Sequence, residues 1–498
     1  MTTGSFNLNK AHGCSHMVES ISCSRCVWGN TADDIQPMGN FHHLVQLREQ
    51  HPENVDICNP FIWRLPVEVT SHIFSLCIIP TPLIDDFATL IYDFEGISNQ
   101  VLLFQLTLRA VCRSWYYIAS SNKMLWTSFS INLTPRSVVG VGKLAEEWLD
   151  RSGELPLVIR LLYNGRVSLY DGQIQRSELD GTGFSKPLLN AICTVSHRWD
   201  MVAFKLPNIF MQDLRCDVRR PPSCLRSLVL ADSLEDPTTS GVLNLGFIPS
   251  PVRLRLDLPL EQVRLRWDKL THFHATHFIN IEAVVDILYF APSLLYFCPT
   301  GLEFDLRNQN IIRHPNLQHL DIQNCFSTIL DLFSFPALRE LSVEGFHLEY
   351  DAGINFINRS QCRLHNLSID GLGCLSTEEL IVFLTSTPSL RLLELDHIEL
   401  DSTFFDRFAE SSNFLPNLSI LSLDFDDPEF LRTFFRLLIP STTSRSRPLL
   451  KIILRHEVDL GEEANSSGSE IATLGETNIR MIQDIRKSGV DFNFSTIG

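Results

Sequence analysis

The sequence predicts an α/β chain in two parts, a small N-terminal module of three helices and a longer, irregular solenoid of strand and helix repeats. Two observations predict it. Between residues 63 and 128 apolar residues recur at helical spacing, and from about residue 220 onward they recur at relative positions 1, 4 and 6 of short segments that return along the chain. At 498 residues the chain is too long for one compact core, and typical domain sizes lead to roughly two to four structural units. The expected division is a disordered segment over 1–57, the helical module over 58–128, the solenoid over 129–460, and a polar linker with a C-terminal capping helix over 461–498.

The first segment holds His12, Cys14, His16, Cys23 and Cys26, and the Cys23-x-x-Cys26 spacing is that of a zinc knuckle. A single C-x-x-C is a weak signal, so no metal site is assigned and no cofactor is expected.

The helical module opens at "WRLPVEVTSHIF". Val69, Ile73, Leu76 and Cys77 are spaced i, i+4, i+7 and i+8, which makes one apolar stripe on a helix. Pro66 suits a first turn, where its missing N–H has no partner to lose, and Glu68 places a negative charge near the helix N-terminus. Pro80 and Pro82 end the helix. A second run, "LLFQLTLRAVCRSWYYIASSNKMLWTSFSI", spaces Leu106, Val111, Trp115, Ile118 and Ala119 so that one or two short helices pack against the first. A unit of this size is marginal alone, and an apolar face left on it reads as a docking surface.

"LPVEVTSHIFSLC" followed by "LTLRAVCRSWYYIASSNKMLW" resembles an F-box, the motif that binds the Skp adaptor of cullin-based ubiquitin ligases. The resemblance rests on Leu65-Pro66, Glu68, Ile73-Phe74, the "VCRSW" run and the closing Leu125-Trp126. It departs from the compact pattern at Ile78 to Gln100, which lengthens the connection after the first helix. What the resemblance implies is an adaptor contact through Leu65, Pro66, Glu68, Ile73, Phe74, Val111, Cys112 and Trp115. "LAEEWLDRSGELPLVIRL" and "SHRWDMVAFKLP" are similar to segments that follow the F-box in mushroom-type (basidiomycete) fungal proteins of this class.

The remainder repeats "LRSLVL" at Leu225, "LQHLDI" at Leu317, "LRELSV" at Leu338, "LHNLSI" at Leu364, "LRLLEL" at Leu390, "LSILSL" at Leu418 and "LLKIIL" at Leu449. From Leu317 onward the separations are close to the roughly 20 to 29 residues of leucine-rich repeats. Positions 4 and 6 share one side of a short strand, so each repeat turns two apolar residues inward and needs its neighbours to bury them. "STEELIVFLTSTPSL" supplies a helix with Ser376 and Glu379 spaced as a capping box, and "PNL", "PAL" or "PSL" precedes several strands as a re-entrant turn. "LTHFHA" at Leu270 and "LLYFCP" at Leu294 match poorly, and "LPLVIRLLY" and "HRWDMVAFKLP" read as early, degenerate repeats that carry the solenoid back to about Phe129.

Positions 3, 5 and 7 face away from that core. Position 7 carries Glu344, Asp370, Asp396 and Asp424, an acidic stripe expected to attract a basic segment of a protein substrate.

Net charge and missing motifs bound the rest. A net charge of −17 disfavours nucleic acid as partner. The apolar runs fall short of the roughly 20 residues that span a bilayer, and no secretory signal opens the chain, so no membrane partner is expected. Thirteen cysteines, without paired spacing, fit reduced thiols in the cytoplasm or nucleus. No phosphate-binding, nucleophile-elbow or zinc-protease motif occurs, and "DFDDPE" lacks the spacing of a calcium loop, so no catalytic residue is assigned. Two readings follow: the substrate-recognition subunit of an SCF-type ligase, or a non-ligase leucine-rich-repeat scaffold whose helical module only caps the solenoid. An apolar face on Leu65 to Cys77 that is open belongs to the first, and one buried against residues 140 to 210 belongs to the second.

Overall fold

The computed structural model describes residues 65–77, 100–133, 138–163 and, with short gaps, 169–497. A short helical region comes first: α1 (Val67–Cys77), α2 (Gln100–Val111) and α3 (Arg113–Ser121). Cys112 separates α2 from α3 because its backbone is extended, and its Sγ accepts the Trp115 N–H at 3.4 Å as a helix cap. Asn122 ends α3 and straps it to α1, donating from Nδ2 to Ser71 O and Ser75 Oγ, both at 3.0 Å.

A strand-rich region follows. Fourteen described strands form one open sheet: β1 (Ser128–Leu133), β2 (Leu157–Tyr163), β3 (Trp199–Leu206), β4 (Ser227–Asp232), β5 (Arg253–Asp257), β6 (His272–Asn280), β7 (Tyr296–Glu303), β8 (His319–Gln323), β9 (Glu340–Glu344), β10 (Asn366–Asp370), β11 (Leu392–Asp396), β12 (Ile420–Phe425), β13 (Lys451–Glu457) and β14 (Asp491–Ile497). Every pair in it is parallel, and the strands lie in chain order.

The register explains why this sheet forms. One residue from each strand lines up in a single row that begins Phe129, Ile159, Val202, Leu228, passes Leu341, Leu367, Leu393, and ends Leu421, Ile452, Phe492. All of these are buried. A second row, two residues on, holds Ile322, Val343, Ile369, Leu395, Leu423 and Leu454. No strand hides its apolar side alone, while in the stack each such side chain contributes about 1.5–3 kcal/mol. The imperfect segments at Leu270 and Leu294 supply rungs like the others, with Phe273 and Phe297 in the row and their rings stacked at 5.6 Å.

Helices cover the inward rows: α4 (Val138–Arg151) packs on α5 (Lys186–Thr194), and α6 (Ile281–Phe290) lies further along. Next, α7 (Tyr350–Ser360), α8 (Thr377–Thr385) and α9 (Ser402–Glu410) pack side by side. Ser376 and Glu379 form the capping box of α8, with the Glu379 N–H on Ser376 Oγ at 3.3 Å and the Ser376 N–H on Glu379 Oε2 at 3.0 Å. A Cβ on Gly353 of α7 would approach the Phe383 ring of α8 to 2.9 Å, so glycine there sets the spacing of the two helices. The turns before the strands are closed by side chains: Asn316 and Asn417 donate to Pro292 O and Pro388 O of the preceding repeat, each at 2.9 Å, and Ser389 donates to Leu364 O at 2.7 Å.

The chain does not end on a capping helix. Helix α10 (Glu476–Lys487) leads into β14, which pairs in parallel with β13 and puts Phe492 at the end of the buried row. The alternation of Val490, Phe492 and Phe494 is the cause, since period two favours another strand. The polar stretch expected as a linker, 461–470, lies outside the described residues, as does the segment 1–57.

The helical region and the sheet share one core. Trp126, after α3, donates its indole N–H to Ala119 O at 2.8 Å and packs edge-on against Trp148 of α4, with centroids 4.7 Å apart. The Arg109 and Arg151 guanidinium groups lie over the Trp126 ring at 5.5 and 4.8 Å, and Glu147 pairs with both arginines. Helix α2 also packs against β1, the first edge of the sheet.

Candidate functional site

Two surfaces hold the residues that the sequence singles out. On α1 the two faces have different jobs. Thr70 and Phe74 turn inward, and Phe74, 3% exposed, meets Trp115 edge-on with centroids 4.8 Å apart. Val69, Ile73 and Leu76 turn outward, with Ile73 40% and Leu76 68% exposed. Pro66, Val67 and Glu68 at the helix start are exposed, and Leu65 is half-buried. Val111, Tyr117 and Met124, from the neighbouring elements, are exposed apolar side chains as well.

The eight predicted adaptor residues therefore divide. Pro66, Glu68, Ile73 and Val111 are open to a partner and Leu65 is half-buried, whereas Phe74, Cys112 and Trp115 hold the unit together. Phe74 was expected on the bound face with Ile73; it lies on the opposite side because Ser71, Ser75 and Asn122 form the polar strap that fixes which face meets α3. Val67, Tyr117 and Met124 were not anticipated, and Val67 carried a signal, being an apolar residue in the first turn of a helix already read as docking.

The second surface is the outer face of the sheet. Residues alternate as expected along β8 to β11, each with buried fourth and sixth positions and more open third, fifth and seventh positions. Glu344, Asp370, Asp396 and Asp424 stand on neighbouring strands of that face. They are not a bare acidic stripe, which corrects the expectation. Arg455 of β13 donates from Nη1 to both Asp396 oxygens at 3.1 Å and from Nη2 to Glu394. His397 Nδ1 lies 2.8 Å from Asp370 Oδ1, and His319 Nδ1 lies 2.7 Å from Glu340 Oε2. His397 and Asn324 follow their strands with φ of 55° and 52°, left-handed turns that bend the chain away from the sheet. Glu344 is exposed.

Burial shapes the electrostatics of this face. It raises the Asp396 carboxyl to about 6, with Arg455 pulling it down and Glu394, Asp424 and Asp370 pushing it up. Burial also raises Asp321, and raises Glu344 with Asp321 and Asp370 adding to the effect. The hydrogen bond from His319 outweighs burial at Glu340 and lowers its carboxyl. Towards β6 the face changes character: His272 and His274 are each lowered to about 4, chiefly by burial and then by Arg253 and Arg255 respectively. The sequence held the sign of Arg455, which is position 7 of the repeat at Leu449, the same count that selected the four acids.

Among the described residues no group of three His, Cys, Asp or Glu side chains is placed to hold a metal ion, and no helix is long and apolar enough to cross a membrane. The cluster His12, Cys14, His16, Cys23 and Cys26 lies outside the described residues. Cys77, Cys112, Cys193, Cys216, Cys224, Cys298 and Cys362 are free thiols.

Residues 62–132 match the model of the F-box-like family, so the chain carries an F-box-like domain over α1 to β1. No curated protein matches the chain.

Proposed function

We propose that the chain is the substrate-recognition subunit of a cullin-based, SCF-type ubiquitin ligase. The F-box-like domain holds the Skp adaptor, and the strand-rich region, an irregular leucine-rich-repeat solenoid, holds a target protein on its outer face. The observation that carries this reading is the open stripe of Val69, Ile73 and Leu76 on a helix whose other face is packed and strapped. Apolar side chains grouped on one helix face mark a surface that a partner covers, and Val111, Tyr117 and Met124 are further exposed apolar side chains of the same domain.

In this role the chain works without catalytic groups of its own, in the cytoplasm or nucleus. It raises the effective concentration of target lysines near a ubiquitin-charged enzyme brought by other subunits. The shared core at Trp126 and Trp148 supports that role, because it sets the helical region and the sheet in a defined relation.

The same contact favours a second reading, in which the helical region is only the cap of the first sheet edge, with α2 against β1. Co-purification with a Skp adaptor separates the two. The full chain is expected to retain the adaptor, and an Ile73→Asp/Leu76→Asp variant that still melts cooperatively is expected to lose it. No adaptor on the wild-type chain would leave the capping scaffold as the reading that stands.

A further inference from the structure

One cluster on the outer face is built more closely than a solvated surface requires. Strands β10, β11 and β12 set Asp370, Asp396 and Asp424 side by side, and the register places Glu394 beside Ser422 and Ser422 beside Ile453. Arg455 stands on β13, two strands from Asp396, so its side chain crosses β12 to reach Asp396 and Glu394. The two carboxylates already have the arrangement that receives a planar guanidinium.

A second, independent observation marks the place as unfinished. Ser422 is 3% exposed and its Oγ has no hydrogen-bond partner. It faces outward, toward this cluster, because Leu421 and Leu423 on either side belong to the buried rows. A buried hydroxyl without a partner costs free energy that a ligand N–H placed there recovers. Nor does Arg455 return Asp396 to the usual carboxylate range: it stays raised to about 6 by burial and by Glu394, Asp424 and Asp370.

Resting on the receptor reading above, we propose that this cluster binds an arginine side chain from a basic, extended segment of the target, seated between Asp396, Glu394 and the Ser422 hydroxyl and sharing the carboxylates with Arg455. An arginine fits better than a lysine because its flat, forked N–H groups reach a carboxylate and a hydroxyl at once. Arg455 then acts as an internal counter-ion that competes with the ligand.

The test uses the full chain and fluorescence anisotropy with labelled glycine–arginine, glycine–lysine and glycine–glutamate octapeptides. The arginine peptide is expected to bind, the lysine peptide several-fold more weakly, and the glutamate peptide not at all. Arg455→Ala is expected to tighten the arginine peptide several-fold, and Glu394→Gln/Asp396→Asn to weaken it by at least about tenfold. Because that double variant leaves Arg455 without its partners, Ser422→Ala is the second probe: it is expected to weaken the peptide several-fold while the chain melts no lower. Absence of arginine-peptide binding, equal binding of the lysine peptide, weaker binding by Arg455→Ala, or an indifferent Ser422→Ala would each overturn the proposal. Adaptor co-purification with the same variants keeps the readings apart, since adaptor bound with no peptide bound removes this site alone, and peptide bound with no adaptor removes the ligase role alone.

Discussion

Replacing Ile73 and Leu76 together by alanine tests the adaptor face with a magnitude that the structure supplies. Each substitution removes three side-chain carbons, worth roughly 0.8 kcal/mol apiece on full burial. Since Ile73 is 40% and Leu76 68% exposed, the part that a partner can still cover is about 1 kcal/mol for the first and about 1.6 kcal/mol for the second. The pair then costs about 2.5 kcal/mol of adaptor affinity, on the order of 60-fold in Kd. Isothermal titration of purified adaptor into each chain measures it. Folding of the variant is expected to change by no more than about 0.5 kcal/mol, because neither side chain supports the core. Phe74→Ala is the converse: it removes the partner of Trp115 and is expected to cost about 3–5 kcal/mol of stability in the helical unit. An unchanged Kd for the double variant, or a loss of stability equal to the loss of binding, would refute the division of α1 into an inner and an outer face.

Four further outcomes follow from the packing and the charges. Leu393→Ala, in the buried row, is expected to lower unfolding free energy by about 2–5 kcal/mol in denaturant titrations. Asn122→Ala removes the strap between α1 and α3 and is expected to cost about 1–2 kcal/mol, read as faster amide exchange across residues 67–77. The pH dependence has two signs on one surface. Asp396 has its carboxyl raised from 3.8 to about 6, so its contribution is fully present below about pH 4 and is lost as pH rises through 6; the melting temperature of Asp396→Asn relative to wild type should climb over that window. Glu340 is lowered below 4.5 by His319, so its contribution is present above that value and lost as pH falls below it; Glu340→Gln should flatten the acid limb of the melting curve.

How much of this was legible in the sequence depended on whether a segment is covered on one side or on both. Along β8 to β11 the outer face is more open, the burial alternates, and the leucine spacing alone places each strand and its inward residues. In β2 and β4 outer residues are buried too, Arg160 and Val229 among them, so the alternation of period two is lost and the rungs look degenerate. On α1 the helical period was clear, but apolar residues sit on both faces, and only Asn122, some fifty residues later, decides which one is inside. The acidic positions were countable, while their neutralisation depends on Arg455, 59 residues beyond Asp396, and on a left-handed turn at His397 that no local pattern announces.

The in-order, all-parallel sheet has a consequence for how this chain can change. Thirteen strand spacings of about 4.8 Å make the outer face a ledge roughly 60 Å long. Each rung touches chiefly its near neighbours, so a substitution at an outward position alters the ledge within a strand or two and leaves distant steps as they were. The face can thus change in small, separable increments along the chain, and a whole rung gained or lost shifts the ledge by one spacing without redrawing the rest.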